Sequence, residues 1–214
     1  MIEAVTRATF KNRPTWRVTH YADDPAASST NDFDLYDVDA ETLVPLRSVM
    51  RNPGLSLDLD FTRDEVTLRR VDDAGTTTER IPLSTPVMPE GPGLRVFVAS
   101  LPLKPGYTAW FHSVDRWSGK EASRVKPMTL TVTGRRPVST PVGTQDALEV
   151  LIRADDGSSR ILQRVRGEPP HYPFWMEYVR GTMTLVSEVT AMAIEPQPSS
   201  SRRESPRRLR GAPP

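Results

Sequence analysis

At 214 residues the chain can bury roughly 70% of the surface its unfolded form exposes, enough for a sizeable core or an internal cavity. Hydrophobic residues make up only 37% and prolines number 21, a mix that favours many short strands and turns over long helices. A formal charge of +1 excludes a global field for collecting nucleic acid, and the lack of cysteine excludes disulfides, thiol catalysis and Cys-ligated zinc.

No run of about 18 apolar residues occurs, so no helical membrane span is expected. The opening MIEAVTRATF has neither a basic n-region nor an apolar h-region. The protein is therefore expected to be cytoplasmic if Met1 is the true start, or to have its signal peptide absent from this chain.

In chain order, Ala4–Phe10 and Thr15–Tyr21 read as a hairpin closed by KNRP, with Phe10 opposite Trp16, Ala8 facing Val18 and Thr6 facing His20. The segment from Ala22 to Asn31 reads as a polar loop. Asp32–Val38 and Thr42–Met50 flank a turn at Asp39-Ala40-Glu41, and Pro45 predicts an edge or a bulge in the second strand.

Leu55–Val71 is the cleanest hairpin. LSLDLDF puts Leu55, Leu57, Leu59 and Phe61 on one face and Ser56, Asp58 and Asp60 on the other, the pattern of a strand with one face on a core. With Phe61 opposite Val66, Leu59 meets Leu68 inside, Asp58 meets Arg69 outside, and Arg70 falls opposite Leu57 at a wet rim. Asp72-Asp73-Ala74-Gly75 turns the chain into a weak strand, Thr77–Pro82. Four prolines make Pro82–Pro92 a loop. LRVFVASLPL fits a buried strand or a short helix about equally by pattern alone.

Tyr107–Asp115 and Arg124–Thr133 read as strands, the second turning Met128, Leu130 and Val132 inward, followed by the strand-edge segment RRPVSTPVGT. Ala147–Ala154 and Ser159–Arg166 form a hairpin around Asp156-Gly157, with Ile152 against Ile161, Leu148 against Val165 and Glu149 facing Arg164. Phe174–Val179 and Thr182–Ala191 form the last, turning at Arg180-Gly181, with Met176 opposite Leu185 and Tyr178 opposite Met183. These divisions give one antiparallel β domain over 1–194.

Residues 195–214 are rich in Pro, Ser and Arg, lack apolar periodicity and are expected to be disordered. Five arginines against two glutamates give this tail a balance of +3, leaving −2 for the rest of a chain whose total is +1. It reads as a solvated tail in preference to an arm for phosphates or anionic lipid.

Ten to twelve short strands joined by tight turns indicate a mostly β protein, read as one continuous sheet. The expected form is a curved antiparallel meander making an incompletely closed barrel, with one short helix across the opening. Parallel crossovers, which require helices of about a dozen residues, are not expected.

Chemistry is sparse. His20, His112 and His171 lack the local spacing of metal ligands. No G-x-S-x-G and no Gly-rich loop before a helix is present, which removes the usual serine hydrolase, dinucleotide and P-loop readings. The paired acids Asp23-Asp24, Asp37/Asp39, Asp72-Asp73 and Asp155-Asp156 lie almost all in turns, where Asp bonds the backbone. Trp110, Phe111, Trp117, Tyr172, Phe174, Trp175 and Tyr178 suit core and rim packing, with a ligand mouth as the alternative. The protein is read as no enzyme, with no cofactor and no metal.

VFVASLPLKPG (Val96–Gly106), LTVTGRRPVSTPVGT (Leu130–Thr144), ALEVLI (Ala147–Ile152) and YVRGTMTLVSEV (Tyr178–Val189) together resemble an uncharacterised family of bacterial cell-envelope domains of unknown function. VDAETLVPLR (Val38–Arg47) resembles a strand pair found there and in lipoprotein carrier half-barrels. The likeness spans most of residues 31–191, although PPHYPFWMEYVR departs from the family's Trp, acid and proline pattern. It implies a helix at LRVFVASLPL and a curved sheet around an apolar concavity in a periplasmic protein.

The leading expectation is thus a non-enzymatic envelope protein holding an acyl chain or other apolar ligand in the concave face, where four buried methylenes supply about 3 kcal/mol. The positions that would line it are Leu57, Leu59, Phe61, Val66, Leu68, Met128, Leu130, Val132, Leu148, Val150, Ile152, Met176, Tyr178, Met183 and Leu185. Arg70, Trp110 and Trp175 would form its rim. The alternatives are a structural or protein-interaction module with a side-chain-filled core and an envelope protein as partner, then an unrecognised hydrolase.

Overall fold

The computed structural model describes residues 2–23, 31–116 and 124–192. Seven strands come first: β1 (Ile2–Phe10), β2 (Arg13–Asp23), β3 (Asn31–Asp39), β4 (Pro45–Asn52), β5 (Leu55–Phe61), β6 (Glu65–Asp72) and β7 (Gly75–Pro82). Each pairs antiparallel with the next, forming a seven-stranded meander. A two-residue strand β8 (Val87–Met88), helix α1 (Gly93–Ser100) and β9 (Thr108–Val114) follow. With β10 (Val125–Thr140), β11 (Gly143–Ala154), β12 (Ser159–Arg166), β13 (Pro173–Arg180) and β14 (Met183–Glu188), β8 and β9 build a second seven-stranded sheet.

The architecture is the expected mostly β, incompletely closed barrel with one short helix. It is made of two sheets, however, where one continuous antiparallel sheet was expected. A parallel pair also occurs, with Val87 opposite His112 and Met88 opposite Ser113. Helix α1 and its flanking turns are long enough to return the chain, since a pair this short needs little crossover.

Local sequence explains most elements. In β5 and β6 Phe61 opposes Val66, Leu59 opposes Leu68, Asp58 opposes Arg69 and Arg70 opposes Leu57, as the alternation predicts. The Asp156-Gly157 hairpin also has its predicted register, with Ile152 on Ile161, Leu148 on Val165 and Glu149 on Arg164. Helix α1 buries Leu94, Phe97 and Val98, an i, i+3, i+4 stripe, and ends as Leu101 leaves helical geometry before Pro102. Pro45 sits at a bulge opposite Val38, in a strand flanked by β3 and β5, so the bulge and not an edge position accommodates it.

Two hairpins differ in register from expectation. Phe10 opposes Arg13, so Ala8 faces Thr15 and Thr6 faces Arg17, while Val5 meets Val18 and Trp16 meets Arg7. The turn is only Lys11-Asn12, both at positive φ, the geometry whose twist matches a two-residue hairpin. At the other end Tyr178 opposes Leu185, Met176 opposes Ser187 and Arg180 opposes Met183, because the turn is Gly181-Thr182. A slip of two residues preserves the faces; the slip of three at the first hairpin exchanges them. Strands β2 and β3 reach Asp23 and Asn31, so the ends of the segment read as a loop are strand; residues 24–30, Trp117 and the tail 195–214 lie outside the described residues.

The core has three centres. Met50, Leu57, Leu59, Val66, Leu68, Ile81 and Leu83 of the first sheet and its exit pack with Val87 and Val114 of the second. Leu94, Phe97 and Val98 of α1 pack on Leu130, Val132, Leu148, Val150, Ile152 and Val165. Val18, Tyr36 and Val38 form the third, with Val96 of α1 against them. The helix therefore lies between the two sheets, filling the space they enclose.

Candidate functional site

The predicted ligand-lining residues divide into two groups. Leu57, Leu59, Val66 and Leu68 lie in the first core centre with Phe61 packed on it, while Met128, Leu130, Val132, Leu148, Val150 and Ile152 lie in the centre around α1. These eleven positions do face inward, but they meet neighbouring side chains. Met176 and Tyr178 are half-buried, and Met183 and Leu185 stand 52% and 48% exposed on the edge strand. Of the rim positions, Arg70 is exposed and bonded to Asp72 at 2.6 Å, Trp110 is 75% exposed, and Trp175 is half-buried under Arg164 at 4.2 Å. Phe111 and Phe174 pack inside, Phe111 edge-on to Phe97 at 5.1 Å. A small pocket of about 20 Å³ between Arg95, Phe174, Met176 and Ser187 has room for no more than about one water.

The edges of the sheets differ in how they are guarded. Strand β7 presents Thr residues, Arg80 and Pro82, and Glu79 is bonded to Arg124 at 2.9 Å. Strand β1 carries Glu3, bonded to Arg95 at 2.8 Å, and Arg7, which covers Trp16. Strand β8 is only two residues long. Strand β14 reads MTLVSE, with Met183, Leu185 and Val186 about half exposed and neither Lys, Arg nor Pro within it. No other described strand pairs with its outer side. Natural sheets blunt such edges with charge or proline, and β14 is bare of both except for Glu188 at its end.

A charged cluster joins the sheets, and nothing in the local sequence announces it. Arg116, just beyond β9, donates to Asp34 of β3 at 2.8 Å and lies 3.1 Å from Glu90 of the β8–α1 loop. Its guanidinium also sits over the Tyr36 ring, 5.7 Å from the centroid. Asp115 continues the chain of charges to Arg180 at 2.8 Å and to Lys126 at 3.8 Å, and Lys126 reaches Asp156 at 2.7 Å. Burial lifts the Glu90 carboxyl from its ordinary 4.5 to about 7; Arg116 pulls it back, and Asp115 and Asp34 push it further up. Burial likewise raises the Tyr36 hydroxyl. The arrangement needs Gly91-Pro92-Gly93 to cross the Tyr36 ring closely: a Cβ on Gly93 would lie 2.8 Å from Tyr36 Cδ1 and from Pro89 Cβ.

Among the described residues no group of three His, Cys, Asp or Glu is gathered as metal ligands would be, and no helix is long and apolar enough to cross a membrane. His171 is buried, its Nδ1 2.9 Å from the Arg166 carbonyl and its backbone N–H directed to Ala99. Fold and site together define a two-sheet, open-barrel β protein with a helix-filled interior and one bare strand edge. The chain belongs to the family described as protein of unknown function (DUF3108), whose model matches residues 2–186. No curated protein and no solved structure matches it.

Proposed function

We propose that the protein is a non-enzymatic interaction domain that takes an extended strand of another polypeptide onto β14. The observation that carries this reading is the bare edge itself, where backbone that no other described strand pairs coincides with half-exposed Met183, Leu185 and Val186. Strand addition draws affinity from main-chain hydrogen bonds and specificity from alternating side chains. Covering three half-exposed apolar side chains contributes about 3 kcal/mol, so the backbone bonds are needed as well. Placement in the cell envelope belongs to the same proposal and rests on the likeness in sequence motifs; fractionation of the producing cell tests it.

A photo-cross-linking residue at position 185 in the full chain, activated inside the producing cell, is expected to give one discrete adduct. The same residue at position 110, more open to solvent than position 185, is the comparison. No adduct from 185, or equal adducts from both, would overturn the proposal. The acyl-chain reading retains one supporting observation: Met176, Tyr178, Met183 and Leu185 share the inward face of β13 and β14 and keep accessible apolar surface. Saturable uptake of a fluorescent fatty acid, lost in Leu185→Lys, would favour that reading over strand addition.

A further inference from the structure

The outer, polar face of the first sheet carries a cleft of about 500 Å³. Strands β1 and β5 are four places apart, roughly 19 Å in a flat sheet. Yet Lys11 of the β1–β2 turn reaches Asp60 of β5 at 3.2 Å, so the turn bends over the face and walls the cleft. The lining holds four cations, Lys11, Arg47, Arg51 and Arg69, against two anions, Asp58 and Asp60, a surplus of +2. That exceeds the +1 of the whole chain, so positive charge is concentrated here.

Partners account for three of the cations. Arg51 donates to the Met50 and Leu57 carbonyls at 2.8 and 3.2 Å and to Asp58 at 2.7 Å. Arg69 lies 3.7 Å from the other oxygen of Asp58, and Lys11 has Asp60. Arg47 makes no hydrogen bond or ion pair among the described residues. Its cross-strand neighbours are Asp37 and Asp60. Asp37 gives both oxygens to Arg17, at 2.7 and 2.9 Å, and Asp60 is held by Lys11. The Phe10 ring has Arg47 at 5.8 Å and Lys11 at 5.0 Å, holding two cations no more than about 11 Å apart.

The guanidinium of half-buried Arg47, its donors open and a second cation within about 11 Å, suits a planar or tetrahedral oxyanion that accepts two parallel hydrogen bonds. Beside it stand groups that bond hydroxyls: the Asp60 carboxylate and the Thr67 and Thr78 hydroxyls. The geometry points to a binding site for an anionic sugar, with its carboxylate or phosphate on Arg47 and its ring hydroxyls on Asp60, Thr67 and Thr78. This site is independent of the β14 edge.

Calorimetric titration of the full chain with glucuronate and with glucose 6-phosphate tests it, with glucose and inorganic phosphate alongside. The charged sugars should bind saturably, at least tenfold more tightly than either comparison compound, and the stronger of the two tells carboxylate from phosphate. Arg47→Gln should weaken binding at least tenfold, Arg47→Lys should fall between, and Arg153→Gln, outside the cleft, should bind as the unmodified protein does. Thermal denaturation of each variant shows that the fold is kept. Absence of saturable binding, equal binding by a folded Arg47→Gln, or inorganic phosphate binding as tightly as the sugar phosphate would overturn the assignment.

Discussion

Replacing Glu90 by glutamine should make the protein's stability less dependent on pH, by an amount the cluster sets. One guanidinium, Arg116, serves two carboxylates, Asp34 at 2.8 Å and Glu90 at 3.1 Å, with Asp115 adding negative charge and the Tyr36 ring excluding water. Only one of the two acids is compensated when both ionise. Burial, helped by the charges of Asp115 and Asp34 and only partly offset by Arg116, raises the Glu90 carboxyl from 4.5 to about 7 on folding. A carboxyl raised in the folded state contributes fully below its unfolded value, and the contribution is lost as pH climbs through the folded value. With about 1.4 kcal/mol for each tenfold in proton affinity, the loss between pH 4.5 and about 7 is ~3 kcal/mol. Glutamine has the shape of the protonated acid and does not titrate. In urea denaturation from about pH 4 to about pH 8, the stability of Glu90→Gln relative to the unmodified protein should therefore rise by ~3 kcal/mol. A difference that stays flat across that range would refute the reasoning, since Glu90 would then titrate alike in the folded and unfolded chain.

Leu130→Ala, at a fully buried site between the second sheet and α1, should cost about 2–5 kcal/mol in denaturant unfolding; a cost under about 1 kcal/mol would mean that the interior is loosely filled. Gly93→Ala forces a methyl to within 2.8 Å of the Tyr36 ring and Pro89, and should destabilise by about 1–3 kcal/mol. Leu185→Lys should leave the midpoint of thermal unfolding nearly unchanged, because the side chain is 48% exposed, while abolishing strand addition as an edge charge does.

Elements with complete local signals were legible from the sequence. Leu55–Phe61 alternates without a fault, and its faces and pairing with β6 follow directly. Asp156-Gly157 sets the register of β11 on β12 in the same way. At the first hairpin Pro14 made the turn look longer than it is, whereas Pro14 sits within β2 opposite Thr9 and Asn12 supplies the positive φ. The inward positions were also legible, but what fills the space between them was not. Sequence periodicity gives the face of Leu130 or Leu59 without giving the depth to which α1 enters. The charged cluster stayed hidden for a different reason: Asp34 and Arg116 are 82 residues apart, and each looks locally like an ordinary polar position. The glycines flanking Pro92 are explained only by the structure, where the chain passes close over Tyr36. The bare edge of β14 could be read only once strand order was known, because MTLVSE looks the same in a central strand.

Amide hydrogen exchange on the full chain, free and isolated with its cross-linked partner, tests the interaction edge most directly. Slowed exchange confined to 183–188, on the amides that face away from β13, is the predicted outcome. Slowing along β1 or β7 instead, with β14 unchanged, would contradict it.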